Sequence, residues 1–285
     1  MKTLKEYLVQ ASREGWAIGH FNFATIEQFI GIIEASKKTN KPVMLGTSEG
    51  ERDLLRPVLA AALVRQARET LELPIFLNAD HSKSVDRISQ ALDAEYDSVH
   101  IDASEFSFEE NIAVTKQAVE EVRKRSETVS VEGELGFVRR ASEVYREKIV
   151  IMPEDYTKPE EAREFVHRTG VDRLAIMVGN IHGISPDEPR LDIARIAQIR
   201  AAIPKEIALV LHAASGIPDS DVRAAIRVGV TNVHISTEIR AIWKASLLRA
   251  LSAAEDEYAP YKILPTVIAD IERLVAQKIS LFSGG

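Results

Sequence analysis

Short apolar, often β-branched runs recur along this chain at intervals that a helix fills. They are AIGHFNF (17–23), PVMLGTS (42–48), PIFLNAD (74–80) and SVHIDAS (98–104), then VSVEGELG (129–136), RLAIMVGN (173–180), ALVLHAAS (208–215) and NVHISTE (232–238). Between them lie amphipathic patterns such as IEQFIGIIEASKKT and FEENIAVTKQAVEEVRKRS. Strands alternating with amphipathic helices predict βα units on a parallel sheet. Eight such units over about 220 residues predict a closed (β/α)8 TIM barrel. The rival open, doubly wound sheet expects a GxGxxG after the first strand, which is missing, and fewer units. The opening MKTLKEYLVQASREG reads as an amphipathic helix. YKILPTVIADIERLVAQKI reads as a helix with an apolar stripe, serving either to close the barrel or to meet a second copy. The expected organisation is one barrel domain over 1–285, with an N-terminal helix and an extra C-terminal helix.

Nearly every run begins apolar and finishes polar: Asn22, Ser48, Asp80, Asp102, Glu134, Asn180, His212 and Ser236. In a parallel barrel those ends converge on the face that carries the active site. Residues of one parity share a face. Asn78 therefore points with Asp80, His100 with Asp102, and Glu132 with Glu134, the second member of each pair lining the mouth.

Composition narrows the chemistry. With 285 residues, 45% of them hydrophobic, the chain buries one large core. A formal charge of -7 argues against nucleic acid or an anionic membrane surface as partner. With no cysteine there is no disulfide, thiolate nucleophile or Cys-type zinc site. No apolar run is long enough to cross a bilayer and the first residues lack a signal-peptide core, so a cytoplasmic protein is expected.

Three of the seven histidines, His81, His182 and His212, fall at or just after strand ends. Three imidazoles meeting at a barrel mouth, with no cysteine nearby, suit Zn²⁺ with a position open to substrate. The bland alternative is a hydrogen-bonded structural histidine at each place, and His20, His100 and His234 also lie in strands. His167 sits in a helix and is expected to be solvated. Small residues follow strands six and seven in NIHGIS and HAASGIPDSD, where backbone N–H groups approach an anion closely. Ser215, Gly216, Ser236 and Thr237 fit the phosphate site such barrels build there. The alternative is a plain loop in which Asp219 or Ser220 caps the next helix.

Taken in order, FNF, NADH, IDAS, VEGELG, GNIHG, LHAASG and STE resemble the class II, metal-dependent ketose-bisphosphate aldolases over nearly the whole chain. The resemblance implies cleavage of a ketose 1,6-bisphosphate, fructose favoured and tagatose or another sugar phosphate the alternative, to dihydroxyacetone phosphate and an aldehyde such as glyceraldehyde 3-phosphate. It implies zinc on His81, His182 and His212, with Co²⁺ or Mn²⁺ as other divalent ions, and Asp80 as acid/base. Asp102 and Glu134, with Glu132 nearby, match an alternative metal site. Substrate and phosphate contacts would fall on Asn22, Ser48, Gly183, Ala213, Ala214, Ser215, His234, Ile235, Ser236 and Thr237. A homodimer or larger assembly is implied as well. No lysine lies on strand six, which argues against Schiff-base chemistry.

Several positions depart from the family pattern. Ala213 stands where glycine is usual, His234 where asparagine is common, and Asn180 in a loop that commonly carries threonine. The stretch after strand five lacks the glycine-rich acidic loop. Arg139, Arg140, Ser48 and Arg52 are the candidates for a distal phosphate. Two other classes remain open. One is a metal-assisted hydrolase, though GHFNF replaces the HxH common on strand one. The other is a non-catalytic sugar-phosphate-binding barrel, for which Asp80 would be superfluous.

Overall fold

The structure, a computed structural model, describes residues 2–136, 143–145, 155–185 and 190–284. Its eight parallel strands are β1 (Ile18–Asn22), β2 (Val43–Thr47), β3 (Ile75–Ser82), β4 (Ser98–Ile101), β5 (Ser130–Leu135), β6 (Arg173–Ile176), β7 (Ala208–Leu211) and β8 (Val230–Ile235). They pair in chain order, and β1 joins β8 to close the barrel. Each predicted run supplies one strand. The polar ends of several runs lie just past it, because their side chains bind the turn. Asn180 accepts from the Val178 N–H at 2.8 Å and donates to the Ile176 and His212 carbonyls at 3.2 and 3.1 Å. It is a clasp between two loops and does not face the mouth.

The helices are α1 (Leu4–Glu14), α2 (Ile26–Thr39), α3 (Glu49–Leu55), α4 (Pro57–Leu71), α5 (Val85–Asp93), α6 (Phe108–Arg125), α7 (Pro159–Thr169), α8 (Ile193–Ala202), α9 (Asp219–Arg227), α10 (Thr237–Ala253) and α11 (Pro260–Phe282). Local sequence sets their limits. Thr3 with Glu6, Thr25 with Gln28 and Ser107 with Glu110 form capping boxes, each satisfying N–H groups that the first turn leaves free. Pro57 separates α3 from α4, because its ring disfavours helical backbone at the residue before it. Arg56 there takes φ 68°.

Two end helices complete the barrel. Leu4 and Leu8 of α1 pack on Ile18, Met44, Phe76 and Ala208, sealing the N-terminal end. The apolar stripe of α11 (Val267, Ile271, Val275, Ile279 and Phe282) is buried within the main core, and Phe282 stacks beside Phe21 at 6.5 Å. The C-terminal stretch thus serves as the barrel's closing helix. TIM-barrel interiors are usually filled by branched apolar layers. Here His20, Asn78, His100, Glu132, Arg173 and Asn232 are fully buried inside instead.

Candidate active site

A regular strand would send Asp80 and His81 to opposite faces. Between Ala79 and Ser82 the β3–β4 register shifts, and His81 takes φ 46°. This bulge turns both side chains into the mouth, at a local backbone cost of order 1–3 kcal/mol that the surroundings must hold. Two residues, His100 and Arg52, brace it. The His81 N–H donates to His100 Nδ1 at 3.2 Å, and Arg52 donates to the Asp80 carbonyl and to Ser82 Oγ, each at 3.1 Å. Arg52 also binds the Thr47 carbonyl and is almost wholly buried. The expectation that it meets a distal phosphate is corrected: its donors stiffen the bulge from behind.

The imidazoles meet as pairs. His81 Nδ1 lies 2.8 Å from Asp102 Oδ2, and His212 Nε2 lies 2.5 Å from Glu132 Oε1. Carboxylates only accept, so both of those nitrogens carry hydrogen. The opposite nitrogens, His81 Nε2 and His212 Nδ1, face each other at 3.2 Å. Two imidazole nitrogens on one tetrahedral zinc stand about 3.3 Å apart. Burial works against a charged His81, but Asp80 and then Asp102 outweigh it and raise its pKa above the ordinary imidazole value. His182 packs its ring 5.1 Å from His81 and 6.4 Å from His212. Burial, reinforced by those two neighbours, holds it neutral, with its pKa well below the ordinary imidazole value. Among the described residues, its nitrogens join no set of three or more donor atoms lying mutually within 4.8 Å, whereas Asp80, His81, His100 and His212 form one.

Asp80 is buried beside these rings. Asn22 Nδ2 donates to its Oδ2 at 3.0 Å, while Oδ1 faces His234 Nδ1 at 3.6 Å and His100 Nδ1 at 3.8 Å. Burial alone would raise the Asp80 pKa, but the field of His81 and then of the other imidazoles holds it well below the carboxylate range. The last two separations exceed hydrogen-bond length. The site therefore presents an ionised base against a cluster of nitrogen donors.

The sequence profile described as "Fructose-bisphosphate aldolase class-II" matches residues 2–284. The chain belongs to this family. Among curated relatives, a fructose-bisphosphate aldolase of Staphylococcus epidermidis is 33% identical over 284 residues, 98% of this chain and 96% of that one. One from Geobacillus stearothermophilus is 34% identical over 266 residues, 92% and 90% of the two chains. The crystal structure of the YdjI aldolase from Escherichia coli K12 superposes with a TM-score of 0.84 at 30% identity, covering 99% of this chain and 97% of that one. Class II members are metal-dependent aldolases of sugar phosphates, and this chain is an enzyme of that class. Among the described residues, no helix is long and apolar enough to cross a membrane.

In this class II aldolase the mouth cavity is lined by Asn22, Ser48, Asp80, His81, His182, Gly183, His212, Ala213, Ser215, His234, Ser236 and Thr237, together with Arg240. Ala213 takes φ 55°, a conformation that favours glycine. Gly183 takes φ 100°, and a Cβ there would meet the Glu143 carbonyl at 2.3 Å. Ser236 Oγ is buried with no hydrogen-bond partner among the described residues, beside the N-terminus of α10. Ala214 and Ile235 turn into the hydrophobic core, and the Ala214 N–H already donates to the His234 carbonyl at 3.1 Å. Asp102 and Glu134 lie behind His81, Glu134 Oε2 being 4.0 Å from His81 Nδ1 and 3.3 Å from His100 Nε2. Arg139 and Arg140 lie outside the described residues.

Arg240 escapes strand-end reasoning because it belongs to the first turns of α10. It pairs with Glu51 at 2.7 Å, and Glu51 also accepts from Asn22 at 2.9 Å and from the Ser48 N–H at 2.7 Å. The TSEGER segment thus reaches the site through Ser48 and Glu51. A buried glutamate three residues after a strand-end serine was the available signal.

Proposed function

We propose that this aldolase cleaves and forms a ketose 1,6-bisphosphate, fructose 1,6-bisphosphate favoured, with zinc on His81, His182 and His212 and with Asp80 as acid/base. The observation carrying the reading is the convergence of two ring nitrogens that face away from their carboxylate partners, His81 Nε2 and His212 Nδ1, beside the buried Asp80 carboxylate. The neutral His182 ring packed against both supports it as the third ligand. The donor set fits a borderline-soft divalent ion, since histidine nitrogens predominate and carboxylates orient them from behind. Bound there, the ion supplies Lewis-acid stabilisation of the negative charge left on the triose oxygens when C3–C4 breaks.

The remaining work falls to the chain. Asp80 takes the C4 hydroxyl proton in cleavage and returns it in condensation, and its depressed pKa keeps it ready as the base. Asn22 holds its other oxygen and so fixes the carboxylate plane. Ser215, Ser236 and Thr237, at the entrance to α10, receive the triose phosphate, where a helix N-terminus favours an anion. The fructose assignment draws on the relatives named above.

The test is loss of a C3 proton from dihydroxyacetone phosphate in D₂O, followed by NMR. This half-reaction does not depend on which aldehyde the enzyme prefers. Exchange should stop with chelator, return with Zn²⁺ and vanish in His212→Ala. Asp80→Asn should lower fructose 1,6-bisphosphate cleavage by about 10²–10⁴-fold. A zinc-loaded sample with no exchange overturns the proposal.

A further inference from the structure

Arg173 opens β6 and lies wholly inside the barrel, where its guanidinium makes four hydrogen bonds and one ion pair. Nε meets Ser130 Oγ at 3.2 Å. Nη1 meets Asn232 Oδ1 at 2.9 Å and Glu132 Oε2 at 2.6 Å. Nη2 meets Asn78 Oδ1 at 3.1 Å and also Ser98 Oγ. Three of these partners each touch a different histidine. Glu132 touches His212 Nε2, Asn232 Oδ1 lies 3.2 Å from His234 Nε2, and Asn78 Nδ2 lies 3.1 Å from His20 Nε2.

The guanidinium decides which way these partners face. Asn232 must keep its oxygen toward Arg173, and its nitrogen donates to the Ile18 carbonyl at 3.0 Å. His234 Nε2 therefore donates, and its Nδ1 stands bare toward Asp80. Asn78 likewise keeps its oxygen on Arg173 and Ser98, so its nitrogen donates to His20 Nε2. His20 then carries its hydrogen on Nδ1. Glu132 only accepts, so His212 holds hydrogen on Nε2 and turns a bare Nδ1 to His81. The His20 and His234 rings stack at 3.6 Å, so neither turns without the other.

We propose that Arg173 is a positioning residue that sets, through Glu132, Asn232 and Asn78, which ring nitrogen His212, His234 and His20 present to the active site. Arg173 itself lies behind these partners and is absent from the mouth lining. Its effect on the metal rests on the ligand set proposed above; its effect on the tautomers of His234 and His20 does not.

The experiment is long-range ¹H–¹⁵N NMR of the metal-free, ¹⁵N-histidine-labelled protein, with zinc affinity read by chelator competition. In the wild type, His234 should be the Nε2–H tautomer and His20 the Nδ1–H tautomer. Arg173→Met should give mixed tautomers at both and lower zinc affinity about 10–100-fold. Because that variant strands the Glu132 charge, Arg173→Met with Glu132→Gln serves if it does not fold, and the same mixing is expected. A wild-type His234 bearing hydrogen on Nδ1, or tautomers and zinc affinity unchanged in the variants, overturns the proposal. Tautomers as assigned in a protein that takes up no zinc support the positioning role and sink the proposed ligand set instead.

Discussion

Ala213 and His20 show how single residues carry strain and charge into the site. Ala213 adopts φ 55°, which costs a residue with a Cβ roughly 1–2 kcal/mol. Glycine recovers that cost but enlarges the unfolded ensemble. Ala213→Gly is therefore expected to raise the unfolding free energy by about 0.5 kcal/mol in urea titrations. It should also lower KM for a phosphorylated substrate by widening the loop. His20 is fully buried, and desolvation, outweighing Asp80 and Glu132, pushes its pKa from 6.5 down to about 4. The folded value lies below the unfolded one, so the unfolded chain takes up the proton first as pH falls. Stability from His20 is complete above about pH 6.5 and is lost progressively toward pH 4, by about 3 kcal/mol. Urea midpoints of the chelated protein near pH 7 and pH 4.5 check this. The pH slope of His20→Gln should be shallower by up to one proton.

At the scale of elements, periodicity and caps were legible and irregularities were not. All eight strands could be read from apolar runs with polar ends, and α2 and α6 from their amphipathic spacing. The bulge at Asp80–His81 defeats a strict two-residue period, so parity alone would have placed the base and the imidazole on opposite faces. Arg173, Arg240 and Glu51 also escaped, because their meaning comes from contacts across the closed barrel rather than from neighbours in sequence. The α2–α11 packing gives a separate test. A Cβ on Gly31 would stand 2.7 Å from Ile271 Cγ2 and 3.1 Å from the Ile268 carbonyl. Alanine improves helix propensity by about 0.8–1 kcal/mol, yet here it forces two helices apart. Gly31→Ala should be destabilising by about 1–3 kcal/mol in thermal or urea unfolding. Ile271→Val in the same chain should recover part of that loss.

For the whole molecule, fold and metal are linked. The proposed donors come from strand β3 and from the loops after β6 and β7, so they assemble only when the barrel closes. An ion bound only by the folded state at a hundredfold excess over its Kd adds about 2.7 kcal/mol. Chelation should lower the melting temperature, and Zn²⁺ should restore it. In His212→Ala the difference between chelated and zinc-loaded melts should largely vanish.

Arg173 also bears on how such a barrel changes over generations. Glu132, Asn232 and Asn78 all lean on one guanidinium; loss of either amide orphans a buried donor, and loss of Glu132 leaves a buried charge without its counter-ion. Drift at these positions is therefore expected to proceed by paired exchange, with intermediates of low fitness between. In relatives, a cation facing Glu132 is expected to persist even where another strand supplies it.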